Sequence, residues 1–255
     1  VKAATHTLYV DVAADYDFGA SGASACADSR DPVLFPEAID CSLRGAIARA
    51  NWQVDPAEGD PDNDDDVFII DLDAQFPGEV FYLNRDPVPA SASQEDANVK
   101  GDLDILGHVE IVGRANPADI VIDARDPVST ESLDRVFDIR PGASAVIEGV
   151  TIQYGLPRGT IVVDTRNYPE PGGGIRNQGS LTLHNAVVGN NRTNDGTSTP
   201  GGYGGGIYNS GTMNADGLTV QDNFTGAGQG SGSNEGGGGG GIFNASGGVL
   251  TLLTS

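Results

Sequence analysis

Basic residues are scarce in this chain of 255 residues: 14 lysines and arginines stand against 36 acids, the formal net charge is -22, and the only lysines are Lys2 and Lys100. Such a chain cannot neutralise a phosphate backbone or settle on an anionic membrane, so nucleic acid is excluded as a partner. Long apolar runs are also missing, and with no stretch of roughly eighteen apolar residues the sequence holds no transmembrane helix. The three histidines, His6, His108 and His184, are scattered, and Cys26 and Cys41 are the only cysteines, which argues against zinc. The chain opens at Val1 without a methionine or a charged-then-apolar leader, so a processed, exported protein is expected, extracellular or at the cell surface.

What is abundant is segregated. The 84 residues from Gly172 onward hold 25 of the 37 glycines, whereas the first 171 residues hold 32 of the 36 acids. The glycines have no period of three, which excludes collagen. Isoleucine, valine and leucine runs between them argue against a purely disordered tail.

The glycine-rich part repeats. "GGGIRNQGSLTLHNAVVGNNRT", from Gly172, aligns with "GGGIYNSGTMNADGLTVQDNFT", from Gly204, and a third copy, "GGGIFNASGGVLTLLTS", starts at Gly239. Each copy consists of short apolar runs between Gly and Asn turns, with no helical period. This is a solenoid pattern, and the fold class expected is all-β: a right-handed parallel β-helix with a short N-terminal capping α-helix. Inward side chains should then stack coil on coil. Ile175, Ile207 and Ile242 form one ladder, Leu181, Met213 and Val249 or Leu250 a second, and Val188 with Val220 a third. Asn177, Asn209 and Asn244 stack at a turn. The glycine before each isoleucine marks a place where no side chain fits, and the run Gly236 to Gly241 reads as flexible loop.

Upstream, "HTLYVDV", "DVFIIDL", "EVFYL", "LDIL", "VEIVG", "DIVIDA", "RVFDIR" and "AVIEGVTIQYG" read as strands of a sandwich or of less regular coils of the same helix. Continuity into the first clear copy favours the helix. One domain spanning 1–255 is expected, with an N-terminal strand, loop and cap in 1–60, irregular acidic coils in 61–171 and glycine-rich repeats in 172–255. "CSLRGAIARANWQ", Cys41 to Gln53, places Leu43, Ile47 and Ala50 on one helical face with Ser42 as a cap. It should cover the open end of the core with Leu43, Ile47 and Trp52, and extend Arg44 and Arg49 to the polar rim. Cys26 and Cys41 are expected to form a disulfide worth about 3 kcal/mol. Asp60, Asp62, Asn63, Asp64, Asp65 and Asp66 crowd like charges and offer only oxygen ligands, which suits calcium; a solvated acidic loop is the alternative. Asp11, Asp15 and Asp17, or Asp28 and Asp31, are secondary calcium candidates.

"CSLRGAIARAN", Cys26 with Asp28, "DVFIIDL" and the three GGGI copies together resemble secreted right-handed β-helix proteins, adhesin-like or similar to polymorphic outer-membrane proteins, that carry an N-terminal CSLREA-type motif before GGGIxN repeats. Gly45 stands where that motif has glutamate. The resemblance implies a surface location and architecture and assigns no shared chemistry. The expected function is therefore a structural or surface protein that is not an enzyme. It would assemble head-to-tail with copies of itself through Leu250, Leu252 and Leu253 at one end and Leu8 and Val10 at the other. A chain cut short is the alternative explanation of that end. A polysaccharide-active lyase or hydrolase, or an adhesin binding surface polysaccharide, is the other reading. An enzyme would need outward acids on consecutive coils and an aromatic platform. Asp216 and Asp222 of one copy lie opposite His184 and Asn190 of the other and do not line up. Asp119, Asp123, Asp126 and Asp138 with Arg125 and Arg140 form the remaining candidate patch.

Overall fold

The computed structural model describes residues 5–10, 41–52, 66–72, 79–83, 101–132, 134–229 and 235–253. The fold is an all-β, right-handed parallel β-solenoid with a short N-terminal helix. Three parallel sheets wrap one apolar core. Sheet A runs β1 (Thr5–Tyr9), β2 (Val67–Asp71), β5 (His108–Val112), β8 (Ser144–Glu148), β13 (Ser180–His184), β17 (Thr212–Asp216) and β21 (Val249–Leu253). Sheet B runs β3 (Glu79–Tyr82), β6 (Ile120–Asp123), β9 (Thr151–Gln153), β14 (Val187–Gly189) and β18 (Thr219–Gln221). Sheet C runs β4 (Leu103–Ile105), β7 (Phe137–Ile139), β12 (Ile175–Asn177), β16 (Ile207–Asn209) and β20 (Ile242–Asn244).

The strands are short because each coil must turn three corners, and alternation within each strand sends every second side chain inward. Ile175 pairs with Ile207 and Ile207 with Ile242, and the ladder continues upstream through Phe137 and Leu103. Met213 pairs with Leu250, which settles the choice between Val249 and Leu250, and Val188 pairs with Val220. Asn177 donates to Asn209 at 2.7 Å and Asn209 to Asn244 at 2.6 Å, so amides stacked in register satisfy buried polar groups at that corner. A second stack, Asn191 on Asn223, lies at the corner that follows sheet B.

The glycine reading holds before the isoleucines and changes for the later run. A Cβ on Gly206 would lie 2.7 Å from the Gly241 carbonyl oxygen and 2.9 Å from the Asn223 side chain. The run from Gly236 was expected to be loose, yet Gly239 has φ +68 like Gly204 at +67, and a Cβ on Gly237 would strike the Gly202 oxygen at 1.7 Å. Glycine serves close backbone packing there.

Helix α1 (Leu43–Trp52) caps the core. Ser42 is its N-cap, its Oγ accepting from the Gly45 N–H at 3.0 Å, and Leu43, Ile47 and Ala50 are buried. The helix packs on β4, whose outer edge would otherwise expose backbone groups, and its side chains satisfy them. Asn51 donates to the Asp104 carbonyl at 2.6 Å and accepts from the Leu106 N–H at 2.9 Å. Arg44, expected at the rim, is instead 2% exposed and donates to the carbonyls of Gly101 and Asp102, because the first strand of sheet C presents those acceptors under the helix.

Among the described residues three successive insertions leave the corner between sheets B and C. The first is the antiparallel hairpin of β10 (Thr160–Val163) and β11 (Arg166–Pro169), and the next two stack on each other by pairing β15 (Gly196–Thr197) with β19 (Gly228–Gln229). Among the described residues no helix is long and apolar enough to cross a membrane.

Candidate functional site

Phe137 and Ile139 point into the core, so Asp138 between them projects from the outer face of sheet C. Register extends this into a column. Asp104 pairs with Asp138, Asp138 with Arg176, Arg176 with Tyr208, and Tyr208 with Phe243, one residue per coil at about 4.8 Å per step. Two acids, an arginine and two aromatic rings therefore lie in line. The rings of Tyr208 and Phe243 stack at 5.7 Å with an interplanar angle of 10°, and Tyr203 lies 4.8 Å from Phe243 at an angle of 40°.

At the acidic end Asp102 joins Asp104 and Asp138. Their ligand atoms lie within 4.8 Å of one another, and all three residues are buried. Arg176 holds Asp138 with both Nε and Nη2, and Arg140 adds a bond at 3.0 Å. Arg135, fully buried, bridges Asp102 and Glu170. Burial pushes the Asp102 carboxyl well above its usual range, and Asp134 and Asp104 raise it further against the pull of Arg135. Burial acts on Asp138 in the same direction, but its bonds to Arg176 and the nearby Arg135 charge outweigh this and hold it below the usual carboxylate value. The Arg135 guanidinium, although disfavoured by burial, is raised by Asp102 and Glu170 and stays charged. Oδ1 of Asp102 meets no hydrogen-bond donor among the described residues. Three hard carboxylate donors with a buried oxygen to spare suit a divalent cation of the calcium, magnesium or manganese type.

This cluster corrects the expectation that the protein is not an enzyme. A buried acidic triad able to coordinate a metal ion is a potential active site. The acids sought in the glycine-rich repeats lie one and two coils upstream of them, which is why repeat alignment alone does not find them. The triplets that occupy sheet C read LDI, FDI, IRN, IYN and IFN, and that shared phase was the available signal.

The other expected sites are distributed as follows. Of the calcium loop only Asp66 is described; it is buried and bonded to His6 at 3.0 Å. Asp60, Asp62, Asn63, Asp64 and Asp65 lie outside the described residues, as do Asp11, Asp15, Asp17, Asp28, Asp31, Cys26 and Gln53. No described cysteine is a free thiol. The patch of Asp119, Asp123, Asp126 and Asp138 divides. Asp123 is held by Arg125 and Gln153 at the end of sheet B, Asp138 belongs to sheet C, and Asp126 accepts from its own turn at Val128 and Ser129. His184 does fall in register between Glu148 and Asp216. Leu8 and Val10 are core residues, 1% and 2% exposed, because β1 pairs with β2 and turns these side chains inward. Leu252 and Leu253 are 54% and 60% exposed, and Leu250 packs partly on the core. Comparison with protein-family models, with curated proteins and with solved structures found no match to the chain.

Proposed function

We propose that the protein is an extracellular, polysaccharide-active enzyme whose substrate lies along the outer face of sheet C. The observation that carries this reading is the in-register column of Asp104, Asp138, Arg176, Tyr208 and Phe243. Sugar rings stack on aromatic faces, and the Tyr203, Tyr208 and Phe243 cluster supplies such a platform. The partly exposed charged group next to the buried carboxylates is Arg140, whose side chain is 25% exposed, followed by Arg176 at 8%. Guanidiniums there favour a glycan bearing carboxylates. Neutralising a uronate carboxylate acidifies the adjacent C–H, so elimination is the reaction class this arrangement serves best. A calcium ion held by Asp102, Asp104 and Asp138 would supply further positive charge beneath these arginines.

The test is release of unsaturated ends from acidic polysaccharides. Activity that needs a divalent cation and falls with Tyr208→Ala and with Asp104→Asn supports the reading. Absence of product from acidic glycans with cation present contradicts it.

The Cys26–Cys41 disulfide, a second calcium site at Asp60 to Asp66 and the likeness to CSLREA-type surface proteins belong to the same reading and accord with an exported protein. Head-to-tail assembly is a second reading, supported by the exposed Val249, Leu252 and Leu253 of β21. Electron microscopy tests it: filaments dissociated by Leu252→Asp support it, and monodisperse monomers contradict it.

A further inference from the structure

The β10–β11 hairpin and the stacked insertions border two adjoining open clefts of about 580 and 310 Å³, both lined in part by Thr160, Pro169 and Asp195. Their construction is ordered by specific contacts. Thr199 donates to the Asn167 carbonyl at 3.1 Å, tying the insertion to the hairpin, and Asn194 donates to the Pro157 carbonyl at 2.7 Å. The charge of the lining reverses that of the molecule. In a chain carrying -22, three of its 14 basic residues, Arg158, Arg166 and Arg192, face these clefts against a single acid, Asp195.

That acid is already engaged. Asp195 accepts from the Ala227 N–H at 2.8 Å, from Gln229 at 2.9 Å and from Arg192 at 3.1 Å, and these bonds, the backbone one foremost, hold its carboxyl below the usual range. Arg158 donates to the Ser132 carbonyl at 2.7 Å and pairs with Glu131 at 3.4 Å. Arg166 is exposed on β11 and makes no hydrogen bond or ion pair with any described residue. The polar part of the remaining lining is hydroxyl and amide, from Thr160, Asn167, Thr197 and Ser198, and Pro169 and Leu156 add apolar surface. An anionic group paired with Arg166, surrounded by donors and acceptors suited to hydroxyls, describes a sugar acid.

We infer that this cleft is a separate binding subsite for an acidic saccharide, with Arg166 receiving a uronate carboxylate and the Thr–Asn wall its hydroxyls. It shares no residue with the sheet C column, and it rests on the acidic-glycan reading only for the identity of the ligand.

Calorimetry on the full chain with hexagalacturonate tests it, beside the methyl-esterified hexamer and a sulfated oligosaccharide. Binding of the acidic hexamer, loss of it on esterification, a weakening of about tenfold in Arg166→Ala and recovery in Arg166→Lys are the expected results. In a Tyr208→Ala background, which removes the sheet C platform, the acidic hexamer should still bind, and adding Arg166→Ala should weaken that remaining binding by about tenfold. Equal affinity for acid and ester, or an Arg166→Ala affinity equal to wild type, overturns the subsite. Preference for the sulfated glycan over the uronate overturns the ligand assignment. Loss of binding in Tyr208→Ala with Arg166→Ala unaffected moves the binding to sheet C, which overturns this inference and leaves the proposed function standing.

Discussion

The acidic and the glycine-rich halves of the solenoid share one apolar ladder in their interior and differ most on their outer face. Inside, Leu103, Phe137, Ile175, Ile207 and Ile242 form one continuous ladder across both halves. Outside, the neighbouring column changes from carboxylate to guanidinium to aromatic along the same coils. At the corner of sheet C the contrast runs through the core as well, where Ile105 and Ile139 upstream give way to the amides Asn177, Asn209 and Asn244. A solenoid can vary its chemistry coil by coil because each coil contacts only its neighbours, so the inward ladder fixes register while the outward position is free.

This comparison can be broken at either end. The largest effect is expected at the acidic end: Arg135→Ala leaves Asp102 and Glu170 buried without their shared partner and should cost about 3–5 kcal/mol in urea denaturation. Next comes the cation. Calcium at a hundredfold excess over its Kd should stabilise the wild type by about 2.7 kcal/mol, read as a rise in Tm, and Asp104→Asn should remove most of that rise. In the glycine-rich half, Asn209→Ala removes a bond from Asn177 and bonds to Asn244 and the Val249 carbonyl, for an expected loss of about 2 kcal/mol. Asn244→Ala, at an exposed position, should cost well under half of that.

The smallest effect is a pH slope in chelated protein. Asp102 has its folded pKa raised, so the folded state binds this proton more tightly than the unfolded chain. Its contribution is complete below the ordinary carboxylate value near 3.8 and is lost as pH rises through the raised one. Asp138, lowered in the folded state, contributes above its ordinary value and loses that contribution as pH falls through the folded one. Between the ordinary and the raised value the chelated wild type should therefore lose Tm as pH rises, and Asp102→Asn should flatten that slope.

Much of the architecture was legible because ladders repeat. The isoleucine and asparagine stacks, the upstream strands and the Ser42-capped helix all follow from residue type and spacing. The functional column was less legible for a physical reason. Outward positions carry no shared side chain, so LDI and FDI join IRN, IYN and IFN only once the inward isoleucines and phenylalanine set the phase. From sequence Arg44 reads as a rim residue, because the sequence does not show that the β4 edge needs donors. The later glycine run looked loose because close backbone contacts between coils leave no mark besides the glycines themselves.

The most direct test of the enzyme reading is a crystal structure of the protein with calcium and an acidic oligosaccharide. The account predicts an ion among Asp102, Asp104 and Asp138 and sugar rings stacked on Tyr208 and Phe243. A structure with that cluster free of metal and the outer face of sheet C bare of sugar, under saturating ligand, would contradict it.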